Sequence, residues 1–468
     1  MQGFIVKTVF VNQDISNSQN VIKNYLKNLY NNPTENFPAP SYIVFVGDVS
    51  HIPSYEGLFQ YGSDELEYNH VTDLYYCEYT GDYLPDVMYG RISANSTSDM
   101  EAIMEKIINY EKCNFSDKSF LRRQLFVSGT DNEYSSTYGN GQIEYVITNY
   151  ANSYNNIDTL VYPYYLNSYR HGSSSGLGYG VMSSASVGAK KSIINNINKG
   201  VGFVNYTGHG EEYSWEDPYI STTEVNNLQS NNLYGFWIAN CCLTASYQKS
   251  ESLSESALRK QGGGAVGYIG AGNLTYWDDD FYWAVGALYQ PGQTPNYQST
   301  SRGVFDGLYH FNKNEENIAN QYITAGEIIN CGNIAVMESN SPGIAYYWEI
   351  YNLAGDPSMM PYMSEPEDIN VSLSPEKISV GISFLDIKTE PFAMVGFSQN
   401  GVLISSGFAD KNGNLTLQFD AGSITTGVVD LVVSAQNKIP FIKSFDVSRP
   451  TEVYVSLVDY NFLQNPTV

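Results

Sequence analysis

The chain has 468 residues, 42% of them hydrophobic and 16% charged, a balance typical of a globular protein with room for two or three domains. Its 24 lysines and arginines against 49 aspartates and glutamates give a formal net charge of −25. This charge argues against nucleic acid as a partner, because phosphate binding needs clustered cations. It would attract a cationic peptide, although acidic surfaces also serve solubility alone.

The cysteines and apolar segments exclude several other classes. Five cysteines are too few and too irregularly spaced for a disulfide framework or a zinc site. No apolar run approaches the length of a membrane span. Met1 and Gln2 are followed by GFIVKTVFV, a strand-like run without the charged start and cleavage site of a signal peptide. The sequence therefore predicts a cytoplasmic protein, or one from which a leader and a pro-segment have been removed.

The first 360 residues or so alternate short apolar runs with helical patterns. A capping box at Ser98-x-x-Glu101 predicts a helix start, and Ala189–Lys199 predicts a helix that stops at Gly200. Five runs are almost continuously apolar, as buried parallel strands are: Tyr42–Asp48, Leu125–Asp131, Val201–Thr207, Phe236–Cys242 and Ala265–Ala271. The alternation predicts an α/β fold with a doubly wound, mostly parallel sheet.

After Pro361 the pattern changes to short alternating segments separated by turn signals, of which Asp410–Gly413 is one. This texture predicts a small all-β sandwich of about eighty residues after a linker rich in proline and glutamate. We therefore predict two α/β subdomains, residues 1–115 and 116–362. An immunoglobulin-like β-sandwich, residues 363–450, and a tail, residues 451–468, follow them.

Three of the predicted strand ends carry reactive side chains, Asp131, His209 and Cys242. In open α/β sheets, functional groups gather beyond the carboxyl ends of the strands. A thiol nucleophile needs a base, and a third polar group often holds that base, so the set fits an acid–imidazole–thiol site. Gly210 follows His209, and the N–H groups of Gly210 and Cys242 are candidate oxyanion donors.

A competing interpretation applies to the cysteine, because a lone cysteine in an apolar strand is usually a packed core residue. The coincidence with His209 at another strand end strengthens the catalytic interpretation. Cys241 directly precedes Cys242. Side chains alternate along a strand, so only one of the two thiols faces a cleft, and alternation does not say which.

Two longer segments resemble the gingipain family of cysteine peptidases. NYTGHG at 205–210, followed by SWEDP at 214–218, resembles that family's catalytic histidine segment. IANCCLTA at 238–245 resembles its nucleophile segment, in which the second cysteine is catalytic. The likeness extends over essentially the whole chain, including the sandwich. It implies a caspase-like fold with Cys242 as nucleophile and His209 as proton carrier. It further implies a secreted or cell-surface enzyme made with an inhibitory pro-segment, and cleavage of proteins after basic residues.

Within the family, the lysine-specific members are the most similar. Asp131 matches the position of their third catalytic residue, which orients the histidine, whereas arginine-specific members have glutamate there. Asp280 falls where lysine-specific members keep the carboxylate that meets the substrate ammonium, and Thr207 and Trp277 would line the same pocket. The arginine-specific members place their pocket acid where this chain has Gln142.

The neighbours Asp278 and Asp279 depart from the family pattern. Taken alone, a run of three aspartates is more often a solvated charge run in a loop, so both neighbours are expected to be exposed.

The segment Thr80–Asp86 (TGDYLPD) offers oxygens at alternate positions, which is a spacing of calcium loops, although such a segment is more often a plain turn. It resembles a gingipain calcium loop with Asp82, the Leu84 carbonyl and Asp86 as ligands. Thr80 stands where the family has an acid. Glu255 resembles a further ligand, so the resemblance implies structural calcium.

The sequence therefore predicts a secreted, calcium-supported cysteine endopeptidase that cleaves after lysine through a thioester acyl-enzyme. Two alternatives stay open. One is an arginine-preferring peptidase of the same family. The other is a catalytically silent binding or adhesion protein that uses the acidic cleft and the sandwich.

Overall fold

The computed structural model describes residues 3–34, 37–61, 69–150, 160–165, 187–287, 303–309 and 323–449. The chain forms two compact units, Val9–Pro366 and the described parts of Met1–Thr8 with Glu367–Val468. The strand-like run at the start of the chain is not a strand, and its first residues group with the second unit. The division of the larger unit at residue 115 stays a prediction, and the predicted tail at 451–468 lies outside the described residues.

The larger unit contains most of the helices and strands. Its helices are α1 Gln19–Asn31, α2 Leu74–Cys77, α3 Thr97–Glu111, α4 Asn140–Asn149, α5 Val187–Asn198, α6 Thr222–Asn226, α7 Leu253–Arg259, α8 Trp277–Val285, α9 Val304–Leu308, α10 Ala325–Glu338 and α11 Ile344–Ile350. Its strands are β1 Tyr42–Val46, β2 Tyr55–Glu56, β3 Val71–Thr72, β4 Met88–Ile92, β5 Arg123–Ser128, β6 Leu160–Tyr165, β7 Phe203–Thr207, β8 Gly210–Glu211, β9 Ser214–Glu216, β10 Tyr219–Ser221, β11 Gly235–Asn240, β12 Ala265–Ala271 and β13 Tyr351–Ala354. Among the described residues, no helix is both long and apolar enough to cross a membrane.

A central sheet organises this unit, with strand order β1-β4-β13-β12-β11-β7-β5-β6. Only the β12–β13 pairing is antiparallel among the described strands of this sheet, so two parallel blocks run in opposite directions. The strands β7, β11 and β12 are buried along their whole length. Burial on both faces explains their continuous apolar sequences and confirms the predicted mostly parallel α/β sheet.

All five predicted strands are present in the central sheet, but its three other described strands escaped the apolar pattern. β4 contains Arg91, which is fully buried and paired with Asp73 at 2.7 Å. β6 contains Pro163 and lies at an edge of the described sheet, as proline in a strand requires. β13 follows α11 without any turn signal, because the helix passes directly into the strand.

The predicted capping box at Ser98 is wrong, because α3 begins earlier in the chain. Ser96 is in the extended conformation that precedes a helix, and its hydroxyl accepts the N–H of Asp99 at 3.1 Å. The predicted end of α5 is confirmed. Gly200, just beyond it, has a φ of +87°, which a residue with a side chain would adopt only with strain.

The second unit is a β-sandwich. Its strands are β14 Glu367–Asp368, β15 Ser372–Ser374, β16 Phe384–Lys388, β17 Met394–Gln399, β18 Val402–Phe408, β19 Asn414–Gln418, β20 Gly427–Ser434, β21 Lys438–Ile439 and β22 Phe441–Val447. Two antiparallel sheets, β15-β16-β19 and β18-β17-β20-β22, share one apolar core that includes Leu385 from the first and Phe397 and Leu431 from the second. The immunoglobulin-like topology stays a prediction, which this order of three and four strands supports.

Candidate active site

Three neighbouring strands end side by side and deliver the predicted catalytic residues to one edge of the sheet. Ser128 of β5 pairs with Thr207 of β7, and Thr207 pairs with Asn240 of β11. Asp131, His209 and Cys242 each follow one of these ends by two or three residues. Parallel strands in register therefore bring together side chains that are far apart in the sequence.

Asp131 holds the imidazole of His209. Its Oδ2 lies 3.1 Å from His209 Nε2, which leaves Nδ1 as the nitrogen for proton transfer. Its Oδ1 accepts the N–H groups of Glu133 at 2.8 Å and Tyr134 at 2.7 Å. Burial raises the pKa of Asp131, but these N–H groups and His209 outweigh burial and hold the pKa below its ordinary value. An ionised carboxylate thus orients a half-exposed imidazole.

The two thiols of the cysteine pair are in different surroundings. The pair lies just beyond β11, where the chain bends and Leu243 has a φ of +63°. Cys241 is fully buried and its Sγ lies 3.9 Å from the Thr244 hydroxyl. Cys242 is partly exposed and lines a pocket together with His209. Strand alternation did not say which of the two thiols faces a cleft. The bend after β11 decides this, and Cys242 is the thiol that shares a pocket with the imidazole.

Gly210 makes the close approach between the histidine and nucleophile segments possible. A Cβ atom at this position would lie 2.6 Å from the Cys242 carbonyl oxygen and 2.7 Å from Cys241 Sγ. Any side chain there would push the two segments apart. The packing puts the Gly210 backbone beside the nucleophile, where its proposed role as an oxyanion donor requires it to be.

The surroundings of the Cys242 sulfur disfavour its ionised form. Burial raises the pKa of the Cys242 thiol to about 11, the Asp280 and Glu211 carboxylates raise it as well, and the Thr275 N–H lowers it. That N–H donates to Cys242 Sγ at 3.2 Å. Because a thiolate is the nucleophile, proton transfer to His209 has to accompany attack on a substrate.

A pocket of about 410 Å³ opens beside the thiol. Its lining includes Asp131, Tyr138, His209, Cys242, Thr275, Trp277, Asp278 and Asp280. The Trp277 ring meets the His209 ring edge-on, with centroids 5.5 Å apart. The pocket therefore has an aromatic wall near the catalytic groups and acidic groups elsewhere in its lining.

Asp280 is a buried carboxylate in this lining, only 5% exposed. Its Oδ2 accepts the Thr275 hydroxyl at 2.6 Å, and its Oδ1 accepts the hydroxyls of Tyr347 at 3.1 Å and Tyr351 at 2.8 Å. Burial raises the pKa of Asp280 to about 7, although these hydroxyls lower it. An incoming cation would stabilise the charged form.

The expectation that both neighbours of Asp280 are exposed is confirmed for Asp278 and wrong for Asp279. The run forms the first turn of α8, and only Asp278 is exposed. Asp279 is 1% exposed and accepts the Ser341 hydroxyl at 3.0 Å. The helical turn points the three side chains in different directions, which a sequence run does not reveal.

Thr207 and Gln142 are buried together. Gln142 Nε2 donates to the Thr207 hydroxyl at 3.2 Å, and Gln142 Oε1 accepts from Asn240 at 3.4 Å. Among the described residues, Thr207 is not part of the pocket lining, whereas Trp277 and Asp280 are. An amide therefore occupies the position at which arginine-specific members were expected to place an acid.

The predicted metal ligands lie in two places, the loop Thr80–Asp86 and the start of α7. In the loop, Asp82 Oδ1 accepts the Leu84 N–H at 3.0 Å, and Asp86 Oδ2 accepts the Tyr79 N–H at 2.5 Å. Both carboxylates therefore make local contacts in the segment that also contains the Leu84 carbonyl. Glu255 instead caps α7. In the described parts of the chain, no three histidine, cysteine or acidic side chains are grouped as metal ligands.

Glu255 has its carboxylate fully engaged elsewhere. Oε1 accepts the Ser93 hydroxyl at 2.5 Å and pairs with Arg259 at 3.0 Å, and Oε2 accepts the Ser252 N–H and hydroxyl, both at 2.8 Å. It fits a helix cap and ion pair, and the donor chemistry does not fit a calcium ligand at this position.

Three residues of the site were missed by sequence reasoning, namely Thr275, Tyr347 and Tyr351. No spacing signal links the two tyrosines, because Tyr347 lies in α11 and Tyr351 is the first residue of β13. Thr275 lies in a loop without a periodic pattern, and only the folded chain brings it between Cys242 and Asp280.

Comparison with known proteins gives consistent matches. Residues 1–362 match the model of peptidase family C25. Lys-gingipain HG66 from Porphyromonas gingivalis is 30% identical over 461 residues, which cover 96% of this chain and 24% of that protein. Gingipain R1 from the same organism is 23% identical over 455 residues, which cover 95% of this chain and 40% of that protein. The chain thus spans about a quarter of the length of the Lys-gingipain that it matches.

Solved structures also match over most of the chain. The structure of a protease has a TM-score of 0.79 at 29% identity and covers 93% of this chain and 89% of its own. The crystal structure of the Arg-specific cysteine proteinase gingipain R has a TM-score of 0.69 at 19% identity and covers 92% of this chain and 88% of its own. The second likeness concerns the fold alone.

A thiol, an imidazole and a carboxylate at the carboxyl ends of a mostly parallel sheet are the groups that a cysteine-peptidase site requires, and the fold is of the caspase-like α/β class. The family match extends this from class to family. The chain belongs to peptidase family C25, and the gingipain resemblance inferred from its motifs is confirmed.

Proposed function

We propose that the chain cleaves proteins after lysine through a thioester acyl-enzyme. The Cys242 thiol gives its proton to His209 as the sulfur attacks the scissile carbonyl carbon. The N–H groups of Gly210 and Cys242 stabilise the resulting oxyanion, and Asp131 keeps the imidazolium oriented. The leaving amine takes the proton from His209. A water molecule, deprotonated by His209, then hydrolyses the thioester and frees the thiol.

The observation that carries the lysine preference is the buried carboxylate of Asp280 in the pocket beside the thiol. A single carboxylate with hydroxyl neighbours suits a compact ammonium, whereas a guanidinium is best met by a planar, two-point partner. Gln142 supplies no charge at the arginine-type position. Lys-gingipain HG66 at 30% identity and Gingipain R1 at 23% favour the same assignment.

The test is cleavage of a peptide panel with lysine, arginine, glutamine or leucine at P1, by the wild type and by Asp280→Asn. Losing one partner of a desolvated charge pair costs about 2–5 kcal/mol. We therefore expect kcat/KM on lysine substrates to fall about 30-fold to several thousand-fold, with far smaller losses for uncharged P1.

Asp278→Asn is the matched control, because this neighbour on the same helical turn is exposed. Removing an exposed charge costs at most about 1 kcal/mol, so we expect less than about a fivefold loss. Loss of lysine cleavage in Asp278→Asn but not in Asp280→Asn would move the P1 site to the exposed aspartate. A wild type that prefers arginine would reject the lysine assignment and leave the peptidase assignment intact.

The alternative of a silent binding protein has little support. Asp131, His209 and Cys242 are all retained and arranged around one pocket, which a binding protein does not require. Covalent labelling of Cys242 by a lysyl chloromethylketone would distinguish the two functions, since a silent protein has no activated thiol.

We also propose that the protein is secreted or displayed at the cell surface and is made with an inhibitory pro-segment. Family membership supports this proposal, as does the structural match to a complex of the pro- and mature domains of Porphyromonas gingivalis RgpB, with a TM-score of 0.71 at 19% identity.

Finally, we propose that the loop Thr80–Asp86 is the calcium site of this chain, without Glu255. Asp82, Asp86 and the Leu84 carbonyl supply oxygen ligands, and calcium accepts carbonyls and water for the remaining positions. Its role would be to hold this loop in place.

A further inference from the structure

Thr275 contacts both working parts of the site, the nucleophile and the pocket carboxylate. Its N–H donates to Cys242 Sγ at 3.2 Å, and its hydroxyl donates to Asp280 Oδ2 at 2.6 Å. The same hydroxyl oxygen lies 3.8 Å from Cys242 Sγ. One small side chain therefore separates the sulfur from the carboxylate, and two negative charges so placed disfavour each other.

The charge of Asp280 is oriented by its neighbours but is not neutralised by them. Its side-chain partners are the hydroxyls of Thr275, Tyr347 and Tyr351. Among the described residues, no lysine, arginine or histidine forms a salt bridge with it. A carboxylate offers about four acceptor positions, so an ammonium group still finds room to bind beside three hydroxyls.

Other titratable groups also surround the sulfur. His209 and Asp131 line the same pocket, Glu211 lies on β8, Cys241 is the chain neighbour and Asp278 is at the pocket rim. Burial is the largest cause that raises the pKa of Cys242, and the carboxylates of Asp280 and Glu211 raise it further. Asp280 is the one of these two carboxylates that lines the pocket where the P1 side chain is proposed to enter.

We propose that Thr275 is a positioning residue that couples the pocket to the nucleophile, so that a lysine side chain bound at Asp280 promotes ionisation of Cys242. This inference rests on the proposed function, because it requires the P1 ammonium at Asp280. The ammonium keeps its own proton throughout. The thiol proton still passes to His209, and the sulfur lone pair still forms the bond to the carbonyl carbon. The correct substrate thus activates the thiol that cleaves it.

The experiment measures alkylation of Cys242 by iodoacetamide, a neutral reagent, with mass spectrometry of the Cys242 peptide as the readout. Butylammonium serves as the mimic of the P1 side chain, and 1-pentanol serves as a neutral molecule of similar length. Below the thiol pKa, a shift of one pKa unit changes the thiolate fraction about tenfold. We expect butylammonium to accelerate alkylation about tenfold relative to 1-pentanol and to move the pH profile to lower pH.

Two variants separate coupling from a structural role. Asp280→Asn removes the charge, so its alkylation should be faster than wild type without any amine and should not respond to butylammonium. Thr275→Val removes the hydroxyl that holds Asp280 next to the sulfur and should lose most of the amine response. Thr275→Ser keeps a hydroxyl and should restore the response.

The outcomes distinguish this inference from the proposed function. In one outcome, butylammonium competes with a lysine substrate, but iodoacetamide alkylates Cys242 no faster with butylammonium than with 1-pentanol. This result would overturn the coupling and leave the lysine pocket in place. Butylammonium that does not compete with the substrate would reject the pocket assignment, and the coupling with it. An undiminished amine response in Thr275→Val would exclude Thr275 as the coupling residue.

Discussion

At the scale of single residues, the site depends on small differences between neighbours. Cys241 and Cys242 are adjacent, yet a bend turns one thiol into the core and the other into the pocket. Asp278 and Asp280 differ in the same way on the first turn of a helix. In each pair, local backbone direction decides which side chain meets the substrate. Each pair therefore provides its own matched control for mutagenesis.

For the cysteine pair, we expect Cys242→Ala to abolish peptidase activity while the protein stays folded. Cys241→Ala should keep most of the activity and lose about 1 kcal/mol or more of stability, because it removes a buried sulfur from a packed site. Peptide cleavage and thermal melting of both variants measure the two effects. Inactive Cys241→Ala beside active Cys242→Ala would reverse the assignment of the nucleophile.

At the scale of elements, short loops carry the functional groups, and long strands and helices position them. The residues that follow β5, β7 and β11 supply the three proposed catalytic side chains, and α8 supplies the buried carboxylate proposed to bind the substrate. The loop Thr80–Asp86 is different, because its residues up to Tyr83 are exposed and its carboxylates bind only local N–H groups among the contacts described for them. Such a loop gains order from a bound cation.

We therefore expect EDTA to lower the melting temperature and calcium to restore it better than magnesium, which demands stricter octahedral geometry. The double variant Asp82→Asn, Asp86→Asn should melt at the same temperature with and without calcium. Glu255→Gln is the control. It should be less stable because it weakens the contact with Arg259, yet it should keep the calcium response. If neither chelator nor calcium changes the melting temperature of the wild type, the proposal that this loop binds calcium is rejected.

At the scale of the whole molecule, stability should depend on pH through acids shifted in opposite directions. Burial raises the pKa of Asp279 to about 6 and that of Asp280 to about 7. Burial also acts to raise the pKa of Glu224, but hydrogen bonds from Lys190 and Ser221 outweigh it and lower the pKa to about 2. Acids with a raised pKa stabilise the fold fully below their unfolded pKa, and this stabilisation is lost as pH rises from there through 6 to 7. An acid with a lowered pKa, such as Glu224, stabilises the fold fully above its unfolded pKa, and this stabilisation is lost as pH falls toward 2.

The melting temperature should therefore be highest near pH 4 to 4.5, roughly at the unfolded pKa values of these acids, and should fall from there to pH 8. Repulsion within a chain of net charge −25 acts in the same direction as pH rises. Asp280→Asn isolates the buried acid, because it should be more stable than wild type at pH 8 and gain much less at pH 5. Equal effects of this variant at the two pH values would show that Asp280 titrates normally.

The sequence by itself determined those features of this protein that depend on short stretches of the chain. Continuous apolar runs identified five strands, of which β1 is largely unburied, and turn signals identified the sandwich, because burial and turns restrict which residues stand at each position. Long motifs around His209 and Cys242 identified the family. Strand β4 was missed because a buried Arg91 breaks its apolar pattern. The ion pair with Asp73, which lies outside the strand, compensates the cost of burying the Arg91 charge.

The tertiary structure alone decided how the site is assembled. It turned Cys242 rather than Cys241 toward the pocket, buried Asp279, and engaged Glu255 with Arg259 instead of the loop Thr80–Asp86. It also placed Thr275 between the thiol and Asp280. Each of these outcomes depends on contacts between segments far apart in the chain. Local propensity and spacing carry no information about such contacts, because the direction of a side chain is set by the backbone around it and by the partners that folding brings within reach.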